Sequence, residues 1–369
     1  MPSSQKTRRY VGLDGYRFVA ASLVVLFHFN TNFSLGLDGG GRGTAHFALF
    51  VDFFFVLSGF VIATSYSGRM AGGADYIAFL RARFGRIYPL HLLTLTPFLL
   101  IAAFDRAFHV PVNHPEIIAA SGVPATLLLA NAWGAVTHDT FNVPAWSISA
   151  EWFVYLLAPP LIALARRVSF AQALAFAAAF VVALIEVRTA LGLRDWTEAT
   201  YDYGALRALP TFFGGVALAR AVDRAPVMSW PRWWMAHASF ASAIILMQFD
   251  IRPEFAIAMF FPVIGLAALC ERTGRASFIS GPVAARLGDA SYALYMLHTI
   301  VSLPVFIGLR KFGLLGTPGA AVFALATYGT CVWMALASFK RFETPARRWV
   351  VAKLTPGVGI KVEERRPAS

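Results

Sequence analysis

LDGYRFVAASLVVLFHFNTNFSL, residues 13–35, decides how the rest of the chain is read. The stretch is long and apolar enough to cross a bilayer as a helix, yet it carries Arg17 near its start and His28 well inside. Eleven residues separate the two. At about 100° per residue that is three turns plus roughly 20°, so both side chains fall on one face, about 16 Å apart along the axis. An ionisable residue inside a membrane helix is costly and faces a bundle interior or a wet cavity. This face therefore reads as the wall of a membrane-embedded site, with a cation near one end and a candidate base near the middle.

The remainder of the chain fits that reading. Of 369 residues, 57% are hydrophobic and 14% charged, with 33 Phe and 9 Trp, and the mean hydropathy is +0.60. A soluble domain carries about 25% charge. The composition predicts an all-α, polytopic integral membrane protein whose medium is the lipid bilayer. The formal charge of +12 would suit nucleic acid, but most basic residues lie between apolar segments, where positive charge sets topology. No nucleic-acid partner is expected. The two cysteines, Cys270 and Cys331, sit in apolar stretches and offer neither a disulfide framework nor a CxxC metal site. No metal is expected. The first apolar run lacks a small-residue cleavage site after it and reads as an uncleaved first span.

Runs of spanning length fall near 16–35, 46–66, 86–104, 146–165, 170–187, 204–222, 233–249, 253–271, 291–309 and 319–338. Charge decides a weaker run, 123–137. If that run is re-entrant or interfacial, Lys6, Arg8 and Arg9 share a side with Arg69, Arg81, Arg83 and Arg86. Arg166/Arg167, Arg220/Arg224/Arg232, Arg272/Arg275/Arg286 and the basic tail from Lys340 then join them. If it spans, the clusters from Arg220 to Arg286 are inverted. The positive-inside rule favours ten spans with both termini cytoplasmic. Residues 1–15 then form a cytoplasmic N-terminus, 16–353 the transmembrane domain, and 354–369 a polar, disordered cytoplasmic tail. The segment 105–145 holds His109, His114 and His138 without HExxH-like spacing; they read as solvated loop histidines.

With orientation fixed, polar residues sort by depth. His28, Asp52 in span 2 and Glu151 in span 4 fall in the outer half, with Ser147 four residues before Glu151 on the same helix face. A His partnered by a carboxylate has its tautomer fixed and its basicity raised, which suits a general base acting on a hydroxyl. At the inner boundary, YIAFLRARFGRIYPLH places Arg81, Arg83, Arg86 and His91. Arg83 and Arg86, three apart, make one cationic face of the kind that binds phosphate. Span 9 carries Ser291, Tyr295 and His298 as one polar stripe, again in the inner half. Each residue has a plainer reading beside this one: topology charges, a helix-bridging His, caps at Asp14 and Asp289. Recurrence of polar groups at two matched depths argues against reading all of them so.

These motifs occur in a familiar order: LDGYRFVAASLVVLFHF, DFFFVLSGFVI, RFGRIYP, WSISAEW, SYALYMLH and FETPARRW. Together, from about Leu13 to Trp349, they resemble the membrane-bound acyltransferase 3 family, whose bacterial members acylate surface glycans and related hydroxyl acceptors. The resemblance implies an O-acyltransferase of the cell inner membrane. Its expected partners are an acyl-CoA donor, acetyl-CoA first, and a carbohydrate or glycolipid acceptor; no cofactor is permanently bound. It implies an essential Arg17 and a catalytic His28, with donor binding by Arg83 and Arg86; the depth argument adds Arg17 to the donor's docking site and Glu151 or Asp52 to orient the imidazole. Its Trp-Ser-x-Ser-x-Glu motif maps to Trp146, Ser147, Ser149 and Glu151. Some members carry an appended hydrolase-like domain, whereas this chain stops soon after span 10. The main competing reading is a transporter or flippase of a lipid-linked glycan. Paired Gly/Pro-broken spans, common in transporters, are not evident despite Pro262 and Pro159/Pro160.

Overall fold

The structure, a computed structural model, describes residues 9–38, 43–66, 72–108, 115–226, 230–249 and 251–354. His109, His114, Lys6, Arg8, Arg69 and the tail beyond Leu354 lie outside the described residues. The described residues are helical and contain no strand. In chain order the helices are α1 (Val11–Phe33), α2 (Phe50–Tyr66), α3 (Gly73–Phe108), α4 (Val123–Leu127), α5 (Ala145–Leu156), α6 (Ala158–Arg167) and α7 (Phe170–Ala190). After these come α8 (Gly204–Arg224), α9 (Trp233–Leu246), α10 (Pro253–Ala258), α11 (Phe260–Arg272), α12 (Pro282–Lys311), α13 (Pro318–Ser338) and α14 (Thr344–Leu354).

Among the described residues, eight helical runs are long and apolar enough to cross a membrane; α10–α11 and α13–α14 each count as one run. The chain is a multi-pass membrane protein. The pair α5–α6, bent by 61°, makes a ninth run only if its two halves are counted as one. Pro159 and Pro160 lie in the first turn of α6 and cannot donate to the carbonyls four residues back, so the ladder breaks at Leu157. The run expected at 233–249 forms a shorter apolar helix. Helix α9 has only 14 residues, about 21 Å at 1.5 Å per residue, short of a hydrocarbon core of about 30 Å. The weaker run 123–137 forms the five-residue α4 and then turns, with Leu129 at φ 55°. It does not span.

Close helix crossings set the centre of the bundle. A Cβ on Gly59 (α2) would lie 2.1 Å from the Phe212 carbonyl oxygen, and one on Gly215 (α8) 2.0 Å from that of Val56. On α12, a Cβ at Gly288 would lie 2.3 Å from the Asp14 carbonyl oxygen of α1. Without water to drive association, membrane helices gain from such close backbone approach. Arg9 adds an ionic tie, 2.6 Å from Asp14 and 3.0 Å from Asp289. These two aspartates, which read as boundary residues, join the ends of α1 and α12. By contrast, α7 turns Phe176, Val182 and Val187 outward, as a lipid-facing helix does.

Candidate active site

Helices α1, α2, α3, α5 and α12 surround a cavity of about 130 Å³, lined by Arg17, Arg83, Arg86, Ser147, Glu151, Ser291 and Tyr295, among others. The i,i+3 spacing on α3 turns Arg83 and Arg86 to one face, and α1 adds Arg17 to the lining. Arg17 leans on Asp14 at 3.2 Å. The Arg83 guanidinium sits over the rings of Tyr66, Phe79 and Tyr155 at 5.2, 5.7 and 5.7 Å, and its Nε is buried without a hydrogen-bond partner. Ring faces hold such a cation in place without neutralising it, leaving its charge for an anion.

The Trp-Ser-x-Ser-x-Glu motif divides between several tasks. Glu151 accepts from the Ser58 hydroxyl at 3.0 Å and from the Tyr155 hydroxyl. Ser147 donates to the Tyr295 hydroxyl at 2.9 Å, and Tyr295 in turn donates to the Pro144 carbonyl at 3.0 Å. Ser149 faces away from the cavity. It donates to the Leu129 carbonyl at 2.7 Å and accepts from the Ala132 amide at 3.0 Å, fastening the non-spanning segment onto α5. Trp146 lies under the Arg207 guanidinium at 5.2 Å. Ser291 bonds back to its own helix, donating to the Gly288 carbonyl at 2.7 Å.

His28 is not among the cavity's lining residues. It lies partly buried on α1, with its ring 4.8 Å from that of Phe27 and 4.9 Å from that of His298 on α12. His298 is buried, and its Nδ1 stands 2.6 Å from the Tyr295 carbonyl oxygen. The expected contact of His28 with Asp52 or Glu151 is not formed. Asp52 is instead sealed in an ion pair with Arg207 of α8 at 2.6 Å, and Glu151 lies with the arginines rather than with His28. A buried carboxylate takes the nearest matching cation, and α8 supplies one directly opposite α2. His91, expected near the arginines, is buried against α4, its Nε2 3.0 Å from the Thr126 carbonyl oxygen. His138, expected as a solvated loop residue, is partly buried, with Nδ1 3.1 Å from the Thr137 hydroxyl.

In the α7–α8 loop, Asp202 accepts from Arg188 at 2.6 Å and lies 3.2 Å from Arg194. Burial pushes the Asp202 carboxyl up, but the Arg188 hydrogen bond, the Thr200 amide and the two guanidinium charges outweigh it and hold the group below its ordinary range.

Sequence reasoning passed over Arg207, Ser58 and Tyr155. Arg207 had a signal: it stands inside an apolar run, where an arginine needs a partner. Ser58 and Tyr155 had none, since isolated hydroxyls are ordinary in apolar helices.

Comparison with known proteins adds three matches and one absence. The acyltransferase domain model Acyl_transf_3 matches residues 10–338. Acyltransferase MdmB of Streptomyces mycarofaciens is 27% identical over 318 residues, 79% of each chain. Protein 2 in the picA locus of Rhizobium radiobacter is 41% identical over 166 residues, which are 41% of this chain and 82% of that one. No solved structure matches.

Proposed function

The chain belongs to the acyltransferase 3 family of membrane acyltransferases, and from that premise we propose that it transfers an acyl group, acetyl first, from cytoplasmic acyl-CoA to a carbohydrate-type hydroxyl. The acceptor, a glycan or glycolipid, is met at the outer side of a bacterial inner membrane. The observation that carries this reading is the convergence of Arg17, Arg83 and Arg86 on one cavity. Three guanidinium groups facing one cavity suit the phosphates of coenzyme A, even with Asp14 beside Arg17 and Glu151 in the same wall.

From that mouth the thioester runs along the α1 face toward His28, about 16 Å away at 1.5 Å per residue. Tyr295, held by Ser147 and Pro144, lines the cavity one helical turn before His298, so the thioester passes its hydroxyl. His28 takes the proton of the acceptor hydroxyl as that oxygen attacks the thioester carbonyl. The C–S bond breaks, and the proton passes from His28 to the departing thiolate, leaving ester and free CoA. Glu151 acts on the donor side: by accepting from Tyr155 it holds that ring against Arg83. Asp52 has no part in the chemistry.

Acetyl-CoA binding to the purified protein in lipid nanodiscs tests the donor site. Wild type binds and the Arg83→Ala/Arg86→Ala double variant loses at least about tenfold in affinity, the equivalent of one charge-assisted contact. Equal binding by both proteins removes the donor from this cavity.

A further inference from the structure

A general base inside a membrane has an electrostatic problem. Once it takes a proton it becomes a cation in a medium that solvates cations poorly. Enzymes ordinarily meet this with a carboxylate on the far nitrogen of the imidazole. Among the described residues no carboxylate fills that role: Asp52 is bound to Arg207 and Glu151 to Ser58 and Tyr155. The polar ring packed on His28 is His298, at 4.9 Å between centroids and 36° between planes.

The state of His298 follows from its contacts. A carbonyl oxygen only accepts, so the 2.6 Å contact between Nδ1 and the Tyr295 carbonyl places a hydrogen on Nδ1. Buried and without a carboxylate against it, the ring carries no second proton, which leaves Nε2 as an acceptor with the Thr299 hydroxyl 3.4 Å away. That distance is too long for a strong O–H···N bond, so the lone pair is little used. His298 is 1% exposed, which denies it water. Buried polar atoms with unspent capacity are uncommon enough to need a reason.

We infer that His298 is the positioning residue of the transfer reaction: its fixed ring sets the orientation of His28, and its unprotonated Nε2 offers an acceptor to the imidazolium that His28 becomes. The inference rests on the proposed role of His28 as base. It also accounts for the link to the donor cavity. Tyr295 contributes its hydroxyl to the cavity wall and its carbonyl to His298, so one turn of α12 connects the thioester's path to the base.

Three substitutions separate this role from a structural one. His298→Asn can still donate to the Tyr295 carbonyl but withdraws from His28. His298→Gln carries an amide to the Nε2 position but gives up the short bond to Tyr295. His298→Leu loses both. Each variant is purified in nanodiscs, and CoA release from acetyl-CoA is followed with methyl glucoside, and with water alone, as acceptor. We expect Leu and Asn to lower kcat by at least about tenfold, a modest share of what general-base catalysis contributes. Gln recovers most of that loss, and KM for acetyl-CoA stays within about twofold in all three, because a group that acts only in the transition state changes kcat. Recovery by Asn and not by Gln overturns the inference and makes His298 a helix-bracing residue. Full activity in all three, alongside a dead His28→Ala, overturns it while leaving His28 as base. A wild type that releases no CoA, or a His28→Ala variant with wild-type kcat, overturns both readings together.

Discussion

The Asp52–Arg207 pair invites a stability test with a calculable size. Asp52 is 0% and Arg207 2% exposed, with Nη2 to Oδ2 at 2.6 Å and Nε 3.2 Å from each carboxylate oxygen. Unit charges about 4 Å apart attract by about 4 kcal/mol at an effective dielectric of 20. Removing one partner also strands the other. Asp52→Ala should therefore cost about 3–5 kcal/mol. Arg207→Met should cost more, since Arg207 also donates to the Thr197 carbonyl and covers Trp146 at 5.2 Å; the cation–π contact alone is worth about 1–2 kcal/mol when desolvated. The double variant Asp52→Leu/Arg207→Met leaves no charge behind and should recover about 3 kcal/mol or more relative to the sum of the single changes. Equilibrium unfolding in mixed micelles, followed by tryptophan fluorescence, measures all four corners of the cycle. Additive costs would refute the pairing argument. So would an Asp52→Asn variant of wild-type stability whose transfer rate per folded molecule falls a hundredfold, because that behaviour belongs to a residue in the chemistry.

Other consequences are simpler. Gly215→Leu, which drives a side chain into the Val56 carbonyl across the α2–α8 crossing, should destabilise the bundle by about 1–3 kcal/mol or more, read in the same unfolding assay. Asp202 gives a pH dependence with a definite sign. Its carboxyl is held below the ordinary 3.8 when folded, so its contribution to stability is complete above that value and is lost as pH falls through the folded one. Hydrogen exchange of the α7–α8 loop should therefore quicken in acid, and Asp202→Asn should show the faster exchange already at neutral pH. Glu151→Gln should weaken acetyl-CoA binding severalfold by loosening Tyr155 over Arg83 while leaving the His28 ring contact with His298 intact.

The helical class and most of the spans were legible because a 20-residue apolar run has few other uses. Two spans were less plain. The break between α5 and α6 was marked by Pro159/Pro160, yet 61° of bend is a property of packing rather than of the prolines alone. For 233–249, apolar composition continued past the point where α9 ends at Leu246, and hydropathy does not distinguish helix from the turn that follows. Within the cavity, spacing on a single helix was readable: Arg83 with Arg86, Ser147 with Glu151. Partners from distant helices were not. Nothing near Asp52 points to Arg207, 155 residues away, and the depth estimate that set His28 beside Glu151 carried no information about rotation around either helix axis. His298 was placed in the inner half with Tyr295, but one turn of α12 moves it outward to meet His28. Rotation and one-turn offsets are fixed by close crossings such as Gly288 on Asp14, which depend on both chains of contact at once.

The most direct test of the account is single-turnover transfer of radiolabelled acetyl from acetyl-CoA by wild type and His28→Ala, each first shown to bind the donor equally. The account predicts release of CoA and labelled ester from wild type, with His28→Ala slowed by about a hundredfold or more at unchanged binding. Equal rates in the two proteins would contradict it, because the base would then lie somewhere other than on the α1 face.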